Sequence, residues 1–501
     1  MSPALLFTFV IGYFGILLAV AWRTSRNATN DSFFIGNRSS HWWLVAFGMI
    51  GTSLSGVTFV SVPGTVGDFS GDSFKAFSYF AVVLGYVIGY LVIAYVLIPL
   101  YYRLNLTSIY DYLQQRLGRY PYKTGALFFI LSRTVGATAR LYLVINVLQV
   151  FILDAMHVPF VVTAGIILLM ILLYTFEGGV KTIVWTDTLQ TTFMLLGLIV
   201  CTVHIMGQMN LSLGGALAKL SDMGYTRIFN TDPLSKGFFL KSIVGGAFIA
   251  IAMTGLDQEM MQKNISVHNV RDSQKNILSF TTVLVIVNFL FLLLGGLLYV
   301  YMLDKGGRYE GHQLMVDGRN MIGDDLFPGV AVSHLPQWVT IIFIIGLISA
   351  LFPSADGALT ALTSSFCIDM LGIRRRQDLT EDGRTRTRRT VHLVFAAVFL
   401  ACILIFKQID NKSIINIILD LAGYTYGPLL GLFSFGILTS RSLRDGPMVT
   451  VICLAAPVVC WFLSRHAASW FGGYQIGIEL LLVNGLLTFF GLLAISRKPV
   501  V

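Results

Sequence analysis

The sequence GMIGTSLSGVT fills residues 48–58, and Pro63-Gly64 follows. Three glycines, two serines and two threonines among eleven residues are unfavourable for a continuous helix. The run nevertheless lies inside an apolar segment, residues 42–66, that is long enough to cross a bilayer. Two interpretations are open: helices packed closely through small residues, or an unwound stretch whose free carbonyls coordinate a cation.

Apolar segments of similar length recur along the whole chain of 501 residues. The sequence is 55% hydrophobic and only 12% charged, which is more apolar surface than a soluble domain can bury. A bilayer core of about 30 Å needs roughly 20 apolar residues per helix. We therefore predict an all-α polytopic membrane protein, embedded in a lipid bilayer, with about 13 transmembrane helices near residues 3–23, 42–66, 75–102, 124–153, 158–176, 182–207, 238–262, 276–303, 337–370, 390–408, 413–439, 447–465 and 474–495.

The net charge of +9 is distributed unevenly over the predicted loops. Lys and Arg are concentrated in alternate loops, for example Arg103 after the third span and Lys263 after the seventh. In membrane proteins the loops rich in Lys and Arg are typically the cytoplasmic ones, so this alternation indicates membrane topology and not a nucleic-acid-binding surface. We predict a bacterial inner or plasma membrane protein with its N-terminus outside, its C-terminus in the cytoplasm and no nucleic-acid partner.

The sequence contains no pattern of catalytic or metal-binding residues. All five cysteines fall within apolar segments without metal-ligand spacing, which indicates packing residues. No GxxxxGK, HExxH or GxSxG motif occurs. We therefore predict no enzyme activity and no cofactor, and any transport must be passive or driven by an ion gradient.

A second interruption lies in the ninth span, where Pro353, Ser354 and Asp356 occur together. Proline lacks an N–H and frees a helix carbonyl, and carbonyl, hydroxyl and carboxylate oxygens suit a hard cation such as Na⁺. Alternatively, the Ser354 hydroxyl satisfies the proline kink. A carboxylate at the depth of Asp356 needs a cation, a proton or an arginine as its partner.

Among the other charged residues within spans, three are candidates for ion pairing or substrate binding. Asp187 lies in the sixth span, and Arg133 and Arg140 lie in the fourth, seven residues apart and therefore on one helix face. The arginines can form structural ion pairs with Asp187 or another acid. They can equally anchor an anionic substrate, because a guanidinium fork fits a carboxylate.

Five motifs occur in order along the chain: DSFFIGNR (31–38), TSIYDYLQQRLG (107–118), GGVKTIVWTDTLQ (178–190), GLDQ (255–258) ahead of Gln262-Lys263, and GYTYGPLLG (423–431). In this order the chain resembles the sodium:solute symporter family, which includes sodium/glucose, sodium/proline and sodium/sialic acid transporters. The resemblance covers nearly the whole chain.

The resemblance implies a leucine-transporter-like core of five plus five helices in inverted repeats, with substrate and ion bound at broken helices. It places the first repeat at 42–207 and the second at 238–439, separated by an extracytoplasmic loop at 208–237. An extra helix and a cytoplasmic loop occupy residues 1–41, and two extra helices occupy 440–501.

The family's sodium site also maps onto this chain through the resemblance. Where the family usually has two adjacent hydroxyls, this chain has Pro353-Ser354, so one ligand is missing. Asp356 falls where members with a second sodium have a serine, and Asp187 matches their acid. The resemblance thus implies a second cation site at Asp187 and Asp356, for Na⁺ or H⁺, and a sodium site at Gly51, Leu54, Ala350, Pro353 and Ser354.

The implied function is secondary active symport, in which inward Na⁺ movement drives uptake of a small organic solute by alternating access. A proton-coupled transporter of the same fold, and a membrane sensor acting with a separate partner, are the alternatives. Met253-Thr254 replaces the Tyr-Trp gate of sugar transporters, and the hydroxyl set resembles that of sialic acid members. We expect a carboxylated solute such as a sugar acid, contacted by Ser53, Ser55, Thr58, Arg133 and Thr254.

Overall fold

The computed structural model of the chain describes residues 3–24, 33–34, 38–70, 73–373, 375–376, 378–408 and 414–498. Residues 31–32 and 35–37 of the first family motif therefore lie outside the described part of the chain.

The described residues form 19 α-helices. In chain order they are α1 (Pro3–Thr24), α2 (Trp42–Ser53), α3 (Gly56–Thr65), α4 (Tyr79–Val92), α5 (Ile98–Arg103), α6 (Asp111–Leu117), α7 (Arg119–Leu148), α8 (Phe160–Gln208), α9 (Leu213–Asp222), α10 (Phe239–Ala250), α11 (Gln258–Ile265), α12 (Val270–Asp304), α13 (Leu326–Ser333), α14 (Gln337–Ser365), α15 (Glu381–Phe406), α16 (Ile414–Thr425), α17 (Gly427–Leu438), α18 (Met448–Trp470) and α19 (Leu480–Ile495).

Short segments of other structure extend or connect these helices. Single π-helical turns occur at Ile93–Leu97, Gln149–Leu153, Ile251–Gly255 and Phe366–Met370, and 3₁₀ turns at Ala76–Ser78, Asp154–Met156 and Gly323–Asp325. The strands form three small antiparallel sheets, which are β1 (Phe69–Ser70) with β2 (Ser73–Phe74), β3 (Arg308–Glu310) with β4 (Gln313–Val316) and β5 (Arg319–Asn320), and β6 (Ser442–Leu443) with β7 (Ser496–Arg497).

The predicted all-helical membrane fold is confirmed. Within the described chain, 7 helices are long and apolar enough to cross a membrane, or 10 if each bent pair counts as one span. The remaining predicted spans coincide with shorter apolar helices at Thr8–Thr24, Phe160–Phe176 and Leu480–Ile495. The number of 13 crossings and the repeat boundaries stay predictions.

Four of the apolar segments are interrupted. The pair α2–α3 bends by 55°, α10–α11 by 65° and α16–α17 by 44°. Helix α8 breaks at Gly179, whose φ is +54° and where a Cβ would lie 2.3 Å from the Phe33 backbone, so only glycine fits. This break separates the predicted fifth and sixth spans.

Helices α4 and α10 pack backbone against backbone. A Cβ added at Gly85 of α4 would lie 2.1 Å from the Ile243 carbonyl oxygen, and one at Gly246 of α10 would lie 2.3 Å from that of Val82. Small residues allow this approach, as they do at many membrane helix interfaces. The contact brings a helix of the predicted first repeat against one of the second.

Candidate functional site

The break between α2 and α3 exposes backbone carbonyls. The Leu54 N–H donates to the Ile50 carbonyl at 2.8 Å, and the helix resumes where the Phe59 N–H donates to the Ser55 carbonyl at 3.2 Å. Among the described residues, no N–H donates to the carbonyls of Gly51 or Leu54. Such freed carbonyls can coordinate a cation, as the second interpretation of residues 48–58 requires.

The part of α14 around Pro353 faces this break. A Cβ built at Gly51 would lie 3.5 Å from Pro353 Cγ, and one at Gly56 would lie 3.7 Å from the Ala350 carbonyl oxygen. The Ser354 hydroxyl donates to the Leu351 carbonyl at 3.0 Å, which leaves its oxygen lone pairs able to accept. The structure thus brings the break close to Ala350 and Pro353, and sodium binding there stays a prediction.

Asp187 has a positive partner that the sequence analysis assigned to a loop. Lys263 is buried in α11, and its Nζ lies 2.7 Å from Asp187 Oδ2, with side-chain exposures of 4% and 0%. The same Nζ lies 2.6 Å from Thr52 Oγ1, which donates to Asp187 Oδ2 at 3.2 Å. The assignment of Lys263 to a loop is wrong, because α11 continues past the predicted span boundary at residue 262 and this side chain is buried.

Asp356 is fully buried and accepts two hydrogen bonds from the protein. The Tyr174 hydroxyl donates to its Oδ2 at 2.8 Å, and the Gly357 N–H donates to its Oδ1 at 2.5 Å. A cation shared by Asp187 and Asp356 stays a prediction.

Arg133 is paired with two acids at the start of α11, its N-cap Asp257 and Glu259 in its first turn. Its guanidinium donates to Glu259 and lies 3.8 Å from Asp257 Oδ2. The Tyr426 hydroxyl donates to that same Asp257 oxygen at 3.0 Å. Arg133 therefore forms structural ion pairs, and its partners are Glu259 and Asp257 in place of Asp187.

The ion pairs form one continuous buried chain, because Glu259 Oε1 also lies 3.6 Å from Lys263 Nζ. The sequence analysis did not name Glu259, and it placed Lys263 in a loop and not at this site. Glu259 and Lys263 are four residues apart and so lie on one helix face inside an apolar segment. That spacing could have identified them as an intramembrane pair.

All five predicted substrate residues line one cavity beside the break, namely Ser53, Ser55, Thr58, Arg133 and Thr254. Three tyrosines of α4, Tyr79, Tyr86 and Tyr90, line it as well. The Tyr90 hydroxyl lies 3.4 Å from Thr254 Oγ1. The sequence analysis missed these tyrosines, although their spacing places them on one face of a helix.

Arg140 also lines the cavity. In contrast to Arg133, it forms no hydrogen bond or ion pair within the described part of the chain. It is therefore the cationic side chain in this cavity whose donors are available to a ligand.

A wider vestibule of about 450 Å³ lies beyond this cavity and shares Tyr79 and Leu419 with it. Its lining comes partly from residues of the predicted extracytoplasmic loop, among them Arg227 and Lys236. The vestibule therefore leads toward the inner cavity from the side predicted to be extracytoplasmic.

Comparison with known proteins gives a consistent result. The model of the sodium:solute symporter family matches residues 33–453. A sodium/sialic acid symporter of Aliivibrio fischeri is 23% identical over 96% of this chain and 92% of its own length. A sodium/sialic acid symporter of Proteus mirabilis is 22% identical over 96% of this chain and 93% of its own length. The mouse sodium-coupled monocarboxylate transporter 1 is 24% identical over 85% of this chain and 67% of its own length.

Solved structures agree on the fold. A substrate-bound, outward-open Na⁺-coupled sialic acid symporter superposes with a TM-score of 0.81 at 17% identity, over 99% of both chains. A nucleobase-cation-symport-1 family transporter in a closed conformation gives a TM-score of 0.54 at 12% identity, over 93% of this chain and 94% of that one. These likenesses confirm the leucine-transporter-like fold.

The relatives are transporters and not enzymes, and they favour neither the proton-coupled nor the sensor alternative. The predicted Na⁺-coupled symport of small solutes, with Na⁺ as coupling ion in an integral membrane protein, is confirmed. The match over most of its length shows that this chain belongs to the sodium:solute symporter family.

Proposed function

We propose that this symporter takes up a small organic acid, such as a sugar acid, whose carboxylate is bound by Arg140. Na⁺ is bound next to the solute, between the α2–α3 break and α14. Uptake runs from the vestibule inward, with the N-terminus outside and the C-terminus in the cytoplasm.

The observation that carries the proposal is the difference between the two arginines of α7. Arg133 already has Glu259 and Asp257 as partners, whereas Arg140 reaches the same cavity without an acid beside it. A guanidinium away from bulk water is costly unless it is paired. A carboxylate offers it the bidentate geometry that it matches best. Arg140 therefore replaces Arg133 as the proposed carboxylate anchor.

The rest of the cavity suits a polar solute. Hydroxyl groups are contributed by Ser53, Ser55 and Thr58 from the break and by Thr254 from the π-helical turn after α10. These groups can donate to and accept from the hydroxyls of a sugar acid. The names of two kinds of relative, sialic acid symporters and monocarboxylate transporters, also point to carboxylated solutes.

The proposed sodium site uses oxygen atoms of the break and of the proline-containing helix α14. Gly51 and Leu54 would supply two carbonyl oxygens, and α14 would supply carbonyls of Ala350 and Pro353 and the hydroxyl of Ser354. Oxygen ligands of this kind suit a hard monovalent cation. Because the break also borders the solute cavity, one local rearrangement can respond to both ligands.

Uptake into proteoliposomes tests the proposal. Labelled sialic acid, pyruvate and glucose should be offered separately with Na⁺ outside, and again with choline in its place. We expect one of the two acids to accumulate only with Na⁺, and glucose not to accumulate. Na⁺-driven uptake of glucose but of neither acid would refute the carboxylate class. Uptake that persists in choline and collapses with a protonophore would refute Na⁺ as the coupling ion.

Ser354→Ala should raise the Na⁺ concentration for half-maximal uptake about tenfold, because an oxygen ligand to a cation is lost. Ser354→Thr keeps the hydroxyl and serves as the matched control, with values near those of the unmodified protein. Both variants are compared by Na⁺ titration of uptake at equal protein content. If Ser354→Ala instead reduces the amount of folded protein and leaves the Na⁺ constant unchanged, the hydroxyl only stabilises α14 through its bond to the Leu351 carbonyl.

A further inference from the structure

We propose that the ammonium of Lys263 is a built-in cation that takes the place predicted for a second ion, so that each transport cycle moves one Na⁺. This inference rests on the proposed function and specifies its stoichiometry.

The surroundings of Lys263 Nζ resemble the ligand set of a cation site. A carboxylate oxygen of Asp187 lies at 2.7 Å, the Thr52 hydroxyl at 2.6 Å and a carboxylate oxygen of Glu259 at 3.6 Å. These are the oxygen types that hard cations bind. The ammonium donates hydrogen bonds to Asp187 and Thr52, and it lies within ion-pair distance of Glu259. At 4% exposure, the group is shielded from water.

The position of this ammonium matters because Asp187 is the acid that the resemblance assigns to a second sodium. A sodium ion bound to the same Asp187 oxygen would lie next to the ammonium, and like charges at that separation repel strongly away from water. Lys263 is covalently attached and cannot be exchanged during the cycle. Asp187 thus keeps its neutralising charge in every state in which this contact persists.

The contact also joins three helices, α2, α8 and α11, next to the α2–α3 break. Thr52 is adjacent to the proposed sodium ligand Gly51, Asp187 is on α8 and Lys263 is on α11. A second Na⁺ bound here would make the same connections, but it would have to be captured from solution. The lysine therefore supplies the structural effect of an ion without adding a transported charge.

The proposal fixes the charge that each cycle moves. One Na⁺ carried with one monoanionic carboxylate transfers no net charge, so uptake should depend on the Na⁺ gradient and not on voltage. Removing the ammonium should open a site for a second Na⁺ between Thr52 and Asp187, whose Oδ1 has no hydrogen-bond partner among the described residues. Uptake would then carry one positive charge, and about 100 mV would increase accumulation roughly fifty-fold.

Equilibrium binding of ²²Na⁺ to the purified full-length protein tests the inference without any solute. We expect one Na⁺ per protein for the unmodified chain and for Lys263→Arg, which keeps a positive charge. We expect two for Lys263→Gln, and one again for the double variant Lys263→Gln/Asp187→Asn.

Each outcome is decisive. Two ions bound by the unmodified protein would overturn the inference and leave Na⁺ coupling intact, and this measurement holds even if Lys263→Gln fails to fold. A folded Lys263→Gln that still binds one ion would also overturn it, because the lysine would then be only a structural partner. No bound Na⁺ in the unmodified protein would refute the proposed sodium site itself.

Discussion

Arg140→Ala is expected to raise the KM for the carboxylated solute about 10- to 100-fold, the range for losing a hydrogen-bonded charge pair. The thermal stability of the detergent-solubilised protein should not fall, because Arg140 forms no ion pair within the described chain. Arg140→Lys keeps the charge but lacks the planar fork, so its KM should lie between that of the unmodified protein and that of Arg140→Ala. Initial uptake rates at saturating Na⁺ give these constants.

The same experiment separates binding from folding. If Arg140→Ala lowers thermal stability and leaves the KM unchanged, the side chain is structural and the carboxylate must be bound elsewhere. A neutral analogue of the solute gives an additional check, since its weak uptake should be insensitive to the loss of Arg140.

Arg133→Ala should act on folding and not primarily on affinity. Its removal leaves Glu259 and Asp257 buried without the guanidinium that now pairs with them. Breaking a buried ion pair on one side typically costs about 3–5 kcal/mol. We expect a large loss of monodisperse protein in size-exclusion chromatography and a lower unfolding temperature.

The matched control for this prediction is the double variant Arg133→Gln/Glu259→Gln. It removes the charge on both sides of the closest contact, so it should recover part of the folded protein that Arg133→Ala loses. If Arg133→Ala instead folds normally and only weakens uptake, the substrate contact predicted from the sequence would be right after all.

The fold was largely predictable because its signals are local. Apolar length alone locates the spans, and the composition of residues 48–58 predicts the interruption that appears as the 55° bend between α2 and α3. The proline in α14 likewise lies in a helix directed at that break. Each of these features depends only on residues close together in sequence.

The charge partners were not predictable in the same way. Lys263 contacts Asp187 across 76 residues, and Arg133 contacts Glu259 across 126. From sequence alone, a lysine at the end of an apolar segment can equally be a buried ion-pair partner or a side chain that extends to the membrane surface. Arg133 and Arg140 share one helix face, so only the three-dimensional placement of α11 distinguishes the paired arginine from the available one.

The glycine contact between α4 and α10 has a mechanical consequence. With backbone touching backbone at Gly85 and Gly246, neither helix can slide along the other without a steric clash. We expect the two to move as one rigid lever during alternating access. Bending must then be concentrated at the joint between α2 and α3, where Leu54 and Ser55 line the solute cavity, and at the joint between α10 and α11, Leu256–Asp257. The binding site thus lies at the hinge about which α4 and α10 rotate. A solute bound there can influence that rotation more strongly than one bound elsewhere.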